Sequence, residues 1–404
     1  MQTFLHELFR DTPDGREADR ILRSCVHCGF CNATCPTYQL LGDERDGPRG
    51  RIYLIKEMLE QNAATRETRE HLDRCLVCRS CETTCPSGVE YHRLLEIGRT
   101  HVEALVERSL PDRLKRRALV ETVPNPDRLE PLLKLGRLAR PLLPGTLKAK
   151  LPAAATAPEW PAAVHERKVI LLEGCVQSIS HPGINSAAAR VLDRLGVSAL
   201  PGAGCCGALA QHLPAMERAR ETARRNIDTW WPSIENGAEA VLLTATGCAP
   251  TVMDYGRLLA GDGAYAERAE RLASMAMDIS VFLERNDLEP MRPPMEPAAP
   301  IAFHSPCSLQ HGLKRPGAVE RLLQALGFEL TPVADAHLCC GSAGTYSILQ
   351  PELSQRLLAN KLAALQQDAP DVIATANIGC QMHLASQAGR PVRHWIELLD
   401  EAMR

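Results

Sequence analysis

The stretches CVHCGFCNATCP (residues 25–36) and CLVCRSCETTCP (residues 75–86) are two copies of one pattern, C-x-x-C-x-x-C-x-x-x-C-P. Three cysteines at two-residue intervals place three thiolates around one face of a cubane. The fourth, one residue further on and stiffened by proline, points to the neighbouring cluster. The pattern therefore predicts two [4Fe–4S] clusters, one on Cys25, Cys28, Cys31 and Cys85 and the other on Cys75, Cys78, Cys81 and Cys35. A chain so equipped moves electrons one at a time. Structural zinc is the alternative for C-x-x-C pairs, but zinc takes only four ligands and usually spaces them in two separated pairs. A disulfide framework fits less well again. The start, MQTFLHELFRDTPDGREADR, reads as a charged amphipathic helix without the apolar segment of a secretory signal, so the thiols are expected in a reducing compartment.

Bulk composition points the same way. The 404 residues leave room for two or three domains, and 45% apolar content supplies their cores. A net charge of −3 and an aromatic content of 4% argue against a nucleic-acid partner. The longest apolar runs, VILLEGCV (169–176) and AEAVLLTA (238–245), have the length of strands, far short of the roughly 18 residues of a membrane span. No transmembrane helix is expected. The localisation expected is cytoplasmic, with any membrane contact peripheral, on the inner face of the cytoplasmic membrane.

Between the two runs, GDERDGPRGRIYLIKEMLEQNAATRETREHLDR (42–74) predicts two helices. The first follows Pro48 and carries Ile52, Leu54, Ile55, Met58 and Leu59; the second follows a Thr65 cap and leads into Cys75. Helices here, in place of short hairpins, suggest an all-α ferredoxin module over residues 1–107, which resembles the cluster domain of succinate dehydrogenase-type iron–sulfur subunits. Residues 108–150 then turn basic, proline-rich and leucine-rich. They read as a connector of short solvated helices limited by Pro131, Pro141 and Pro144. The sharper alternative, carried by LLKLGRLARPLL (132–143), is a surface for anionic lipid or an acidic partner subunit. A linker, LPAAATAPEWPAA, brings the connector to its expected end at residue 165.

The remainder is an internal repeat. Each copy has an apolar strand, a cysteine, a helix, a vicinal Cys-Cys-Gly, another helix, a second apolar strand and a fourth cysteine. Copy one (166–295) supplies Cys175, Cys205, Cys206 and Cys248; copy two (296–404) supplies Cys307, Cys339, Cys340 and Cys380. The surroundings match too, VLDRLGVSALPGAGCCG against LLQALGFELTPVADAHLCCG and AVLLTATGC against DVIATANIGC. Alternating strands and helices predict two pseudo-repeated α/β domains with parallel sheets. Cys175, Cys248, Cys307 and Cys380 fall at the carboxyl ends of strands, where such sheets build their sites.

Neighbouring cysteines are poor disulfide partners for each other but present two thiolates to one metal centre, and Gly207 and Gly341 let the backbone approach closely. The arrangement resembles the cysteine-rich CCG domain of heterodisulfide reductases, whose pattern ends C-x-x-C. Here copy one ends Cys248-Ala-Pro-Thr251 and copy two Cys380-Gln-Met-His383, so the fifth thiolate is missing from both. A third centre is expected on Cys307, Cys339, Cys340 and Cys380, with His383 as a fifth ligand or an ordinary helix histidine, and His304 as a nearby supporting group. For Cys175, Cys205, Cys206 and Cys248 three readings stand side by side: an iron–sulfur centre, zinc, or reduced thiols that pack. Gly202-Ala-Gly-Cys-Cys-Gly207 also satisfies G-x-G-x-x-G. It is set aside as a dinucleotide loop because copy two lacks it and the vicinal cysteines fill its x positions.

Two ferredoxin runs, a basic connector and two CCG repeats together resemble the iron–sulfur subunits of glycolate oxidase (glycolate dehydrogenase) over essentially the whole chain. CVHCGFCNATCPTY, CLVCRSCETTCPSGVEY, GDERDGPRGRIYLIKEM, IGCQMHL and PVRHWIELL carry that resemblance. It implies a partner subunit with FAD that oxidises glycolate or lactate to the 2-oxo acid, and one-electron transfer through this chain to quinone or another acceptor. No catalytic residue is expected in the chain itself. The small subunit of anaerobic glycerol-3-phosphate dehydrogenase and lactate-utilisation iron–sulfur proteins share the layout. A heterodisulfide reductase-like catalytic subunit is the alternative of a different class.

Overall fold

The computed structural model describes residues 1–142, 151–295 and 299–404. The chain forms two compact units. The first comprises Met1–Arg117, Gln211–Pro214 and His337–Lys361; the second comprises Ala118–Ala210, Ala215–Ala336 and Leu362–Arg404.

Met1–Arg117 is helical, with no strand among its described residues. Its core is built by Ile21 and Leu22 of the helix Pro13–Ser24, Ile55, Met58 and Leu59 of Pro48–Gln61, Leu72 of Arg66–Asp73, and Leu94 and Leu95 of Tyr91–Leu105. Pro48 opens its helix at the first position, where its missing N–H costs nothing. Thr65 caps the next helix through a reciprocal pair with Thr68. The N-terminal twenty residues are not one helix. Glu7–Arg10 ends at Asp11, and Thr12 accepts from the Gly15 amide to start a second helix at Pro13.

The second unit holds two parallel sheets of the same design. We number the strands β1 (Arg167–Leu172), β2 (Val197–Gly202), β3 (Ala240–Leu243), β4 (Ala276–Asp278), β5 (Ile301–His304), β6 (Leu330–Thr331), β7 (Val372–Thr375) and β8 (Val392–His394). The sheets run β2-β1-β3-β4 and β6-β5-β7-β8, with every pair parallel. Each lobe thus has two more strands than the cysteine repeat alone announces. Alternate residues of β1 enter different cores: Val169 and Leu171 join one that also takes Ile301 and Phe303 of β5, and Ile170 and Leu172 join the other. The shared core is closed by the helices Gly183–Arg194 and Trp395–Ala402, fastened by a two-pronged Arg190–Asp400 pair.

The connector folds as helices Leu110–Thr122 and Pro126–Leu138, neither burying a residue. Pro131 does not limit its helix, contrary to the sequence expectation: it sits inside Pro126–Leu138, where it removes one ladder bond and the helix continues past it. Pro141 falls in the turn Arg140–Leu142, and Pro144 lies outside the described residues. The 151–163 linker has no regular structure but is pinned where Ser186 Oγ donates to the Pro158 carbonyl.

Candidate metal centres

The two ferredoxin runs share one backbone path. In each, the residue before the second cysteine and the residue after it are left-handed: His27 and Gly29 (φ 56° and 85°), Val77 and Arg79 (φ 53° and 62°). Such a φ is a steric outlier for a β-branched residue like Val77 and persists only where the surroundings impose it. It curls the loop back on itself, bringing the Val77 amide to the Cys75 sulfur at 3.5 Å. Short helices Phe30–Ala33 and Ser80–Thr84 carry the third cysteines, and Thr34 and Thr84 meet through their hydroxyls at 3.1 Å.

Two cavities result. One is lined by Cys25, Cys28, Cys31 and Cys85, together with His27 and Arg49. The other is lined by Cys35, Cys75, Cys78 and Cys81, together with Arg51, Arg79 and His92. Pro48, Cys81 and Tyr91 border both, so the cavities share a wall. Burial pushes the Cys31 thiol up to about 11, with Cys25 and Cys85 adding to the effect. Burial, with Cys78 and Cys75, likewise raises Cys81 well above an ordinary thiol. Thiols crowded in this way lose their protons together only when a cation replaces them. The all-sulfur donor set in a partly dry pocket fits an iron–sulfur group.

In copy one the four thiols also converge. Cys175 follows β1, Cys205 and Cys206 follow β2, and Cys248 follows β3. Cys205 accepts from Cys175 and Cys206, which holds its pKa well below that of an ordinary thiol; both donors are raised, and Cys206 in addition touches Cys248. Three side chains that the sequence did not single out fix this loop by its carbonyls. Trp230 Nε1 donates to Ala203 O (3.0 Å), Asn226 Nδ2 to Cys205 O (2.7 Å) and Tyr255 Oη to Cys206 O (2.9 Å). Gly204 packs on Asn226 so closely that a Cβ there would lie 2.5 Å from Asn226 Oδ1. Thr251 is buried in the short helix Ala249–Val252.

Copy two distributes its residues between the units. Cys339 and Cys340 belong to the first, and Cys307, Cys380, His383 and His304 to the second. Within the first, Gly341 N reaches the Cys339 sulfur at 3.4 Å, as Gly207 N reaches Cys205, and both glycines have φ 88°. Tyr346 of the same segment donates to the Arg74 carbonyl (3.1 Å), one residue before Cys75, and Arg356 donates to the Leu40 carbonyl (2.8 Å). Within the second unit, Cys307 follows β5, and His304, buried at the end of that strand, accepts from Thr375 Oγ1 through its carbonyl. Cys380 and His383 lie three apart on one face of the helix Ile378–Ala385, with Asn377 Nδ2 3.5 Å from the Cys380 sulfur. The supporting residues Asn226, Trp230, Tyr255 and Asn377 carry no spacing signal; only the fold brings them to the cysteines.

A 4Fe-4S dicluster domain model matches residues 21–89, and a cysteine-rich domain model matches 169–252 and 301–385. Fold and donor set define an iron–sulfur electron-transfer subunit. The chain is 53% identical over 406 aligned residues to the glycolate oxidase iron-sulfur subunit of Escherichia coli K12, covering 100% of this chain and 99% of that one. It is 30% identical to the probable glycolate oxidase iron-sulfur subunit of Bacillus subtilis 168, over 90% of this chain and 88% of that one. Lactate utilization protein A of Bacillus licheniformis is 29% identical over 58% of this chain and 99% of its own. The chain belongs to the family of glycolate oxidase iron–sulfur subunits. No helix among the described residues is long and apolar enough to cross a membrane.

Proposed function

We propose that this chain passes electrons, one at a time, from an FAD-containing partner that oxidises glycolate to the 2-oxo acid, towards quinone or another acceptor. The observation that carries the reading is the pair of four-thiol cavities with a shared wall. In this proposal Cys25, Cys28, Cys31 and Cys85 hold one [4Fe–4S] cluster and Cys35, Cys75, Cys78 and Cys81 the other. When bound, the clusters supply one-electron carriers suited to a two-electron flavin donor. The left-handed loops orient the sulfurs, and Pro48 and Tyr91 keep the wall between the cavities apolar. The proposed organisation is a ferredoxin module (1–107), a connector (108–165) and two CCG domains (166–295 and 296–404).

Convergence of Cys175, Cys205, Cys206 and Cys248 supports a further centre in copy one. Cys307, Cys339, Cys340, Cys380 and His383 are the proposed ligands of a centre in copy two. The connector is proposed as the contact with an anionic membrane surface, on the cytoplasmic side: Leu132, Leu135 and Leu138 stand exposed along one helix among Arg128, Lys134 and Arg137. Lactate as the partner's substrate is the second reading, favoured by the similarity to lactate utilization protein A.

Iron and sulfide analysis of anaerobically purified chain, followed by glycolate addition in the presence of the flavoprotein, tests the reading. About eight irons per chain confine the carriers to the ferredoxin module, and about twelve or sixteen extend them into the lobes. Electron paramagnetic resonance signals that appear on adding glycolate support the substrate; signals that appear only with lactate move the assignment to the second reading. Bound zinc in place of iron sinks the electron-transfer role.

A further inference from the structure

Arg51 is a charge where charges are rarely kept. Its side chain is 1% exposed, in the first turn of the helix Pro48–Gln61, and it lines the cavity of Cys35, Cys75, Cys78 and Cys81. A guanidinium so buried costs several kcal/mol unless it is bonded and balanced. Its Nε donates to the His71 carbonyl (2.7 Å), and Nη1 and Nη2 both donate to Thr37 Oγ1 (3.2 Å each). Thr37 Oγ1 in turn lies 3.3 Å from the Cys35 sulfur and donates to the Asp46 carbonyl.

Asp46 is the carboxylate that Arg51 pairs with, and its charge is divided. It meets Arg51 at 3.4 Å but His71 and Arg74 at 3.0 Å each. Arg74 is also paired with Glu70, whereas the ion pair of Arg51 is the long one to Asp46 alone, so the enclosed Arg51 charge is only partly balanced beside the sulfur ligands. The neighbouring cavity has no counterpart among the described residues. Its arginine, Arg49, has a side chain 36% exposed and is paired with Glu44 at 2.6 Å. A charge open to water is screened, whereas one enclosed by protein is not.

We infer that Arg51, held by Thr37 and Asp46, sets the reduction potential of the group on Cys35, Cys75, Cys78 and Cys81 above that of its neighbour on Cys25, Cys28, Cys31 and Cys85. Reduction adds one negative charge to a cluster and its four thiolates, and net charge and hydrogen bonding to the sulfurs are the levers a protein has on that potential. The inference rests on the proposed placement of the clusters and assigns the chain a downhill direction, towards Cys75 and away from Cys25.

The test is a potentiometric titration of the full chain followed by electron paramagnetic resonance, with iron and sulfide measured on every sample. Arg51→Gln should move one of the two one-electron waves to lower potential and leave the other in place. The expected shift changes the reduced-to-oxidised ratio of that cluster on the order of tenfold at fixed poise, which for one electron is about 59 mV. Asp46→Asn, nearly isosteric, should move the same wave upward, and Arg49→Gln should leave that wave where it is. Unchanged or equally shifted waves in an iron-replete Arg51→Gln overturn the inference. If Arg51→Gln does not retain its iron, Asp46→Asn decides: a rise in one wave supports the inference, and no rise overturns it. A wild-type chain with fewer than about eight irons would instead count against the cluster assignment beneath it.

Discussion

Gly207 and Gly341 do the same conformational work in unequal surroundings. Both sit at φ 88° and both return an amide to the first sulfur of the vicinal pair. A Cβ on Gly341 would lie 2.8 Å from the Ser354 carbonyl oxygen and 2.9 Å from Leu357 Cβ, whereas one on Gly207 would meet nothing closer than 3.7 Å. Gly207→Ala should therefore cost about 1 kcal/mol, the left-handed penalty alone. Gly341→Ala should cost roughly 3 kcal/mol or more, since backbone and a packed side chain must also shift. Urea unfolding of the two variants side by side measures the difference, and equal losses would mean that the Ser354 turn yields freely.

At the scale of elements, the connector helices are an apolar expense the fold does not use. Leu132, Leu135 and Leu138 are 54%, 62% and 81% exposed, and Leu110 and Leu114 are comparably open on the preceding helix. An apolar stripe flanked by bases lies on a lipid interface when anionic headgroups are present. Replacing Leu132, Leu135 and Leu138 together with glutamine should abolish sedimentation with phosphatidylserine vesicles while leaving thermal stability within about 0.5 kcal/mol, because none of the three is buried. Binding that survives the triple substitution but falls with salt would reduce the contact to electrostatics alone. The ferredoxin helices are the opposite case, with apolar positions spent on one core.

For the whole molecule, the repeated design places two titrating caps at equivalent points. Asp278 ends β4 and His394 ends β8, and each caps the helix that follows. Burial raises the Asp278 carboxyl to about 7, against the opposing bonds from Ser280. Burial lowers His394 to about 4, while its ring donates to the Thr244 carbonyl at 3.0 Å. For Asp278 the folded pKa lies above the unfolded one, so its contribution is complete below about 4 and is lost as pH rises through 7. For His394 the order is reversed, and its contribution is present above about 6.5 and is lost as pH falls towards 4. Asp278→Asn, which keeps the cap, should raise the melting temperature at pH 8 and change it little near pH 4. A uniform shift across that range would show that Asp278 does not titrate on unfolding.

Much of this was legible before any coordinates. The cysteine spacings announced the iron–sulfur class, the Pro48 and Thr65 signals placed their helices, and the matching halves predicted two parallel α/β lobes, because thiol geometry and local capping act over a few residues. Strands β2, β4, β6 and β8 escaped notice because Val197–Gly202 contains proline and glycine and the others are two or three residues long; pairing partners, not propensity, make them strands. Arg51, Asn226, Trp230 and Tyr255 carry no local signal that sets them apart from their neighbours. What the sequence determined alone was which sulfur atoms stand at cluster spacing, since chemistry and spacing are local. Only tertiary structure decided which buried charge, carbonyl clamp and shared wall surround those atoms, because burial and long-range contact have no local signature.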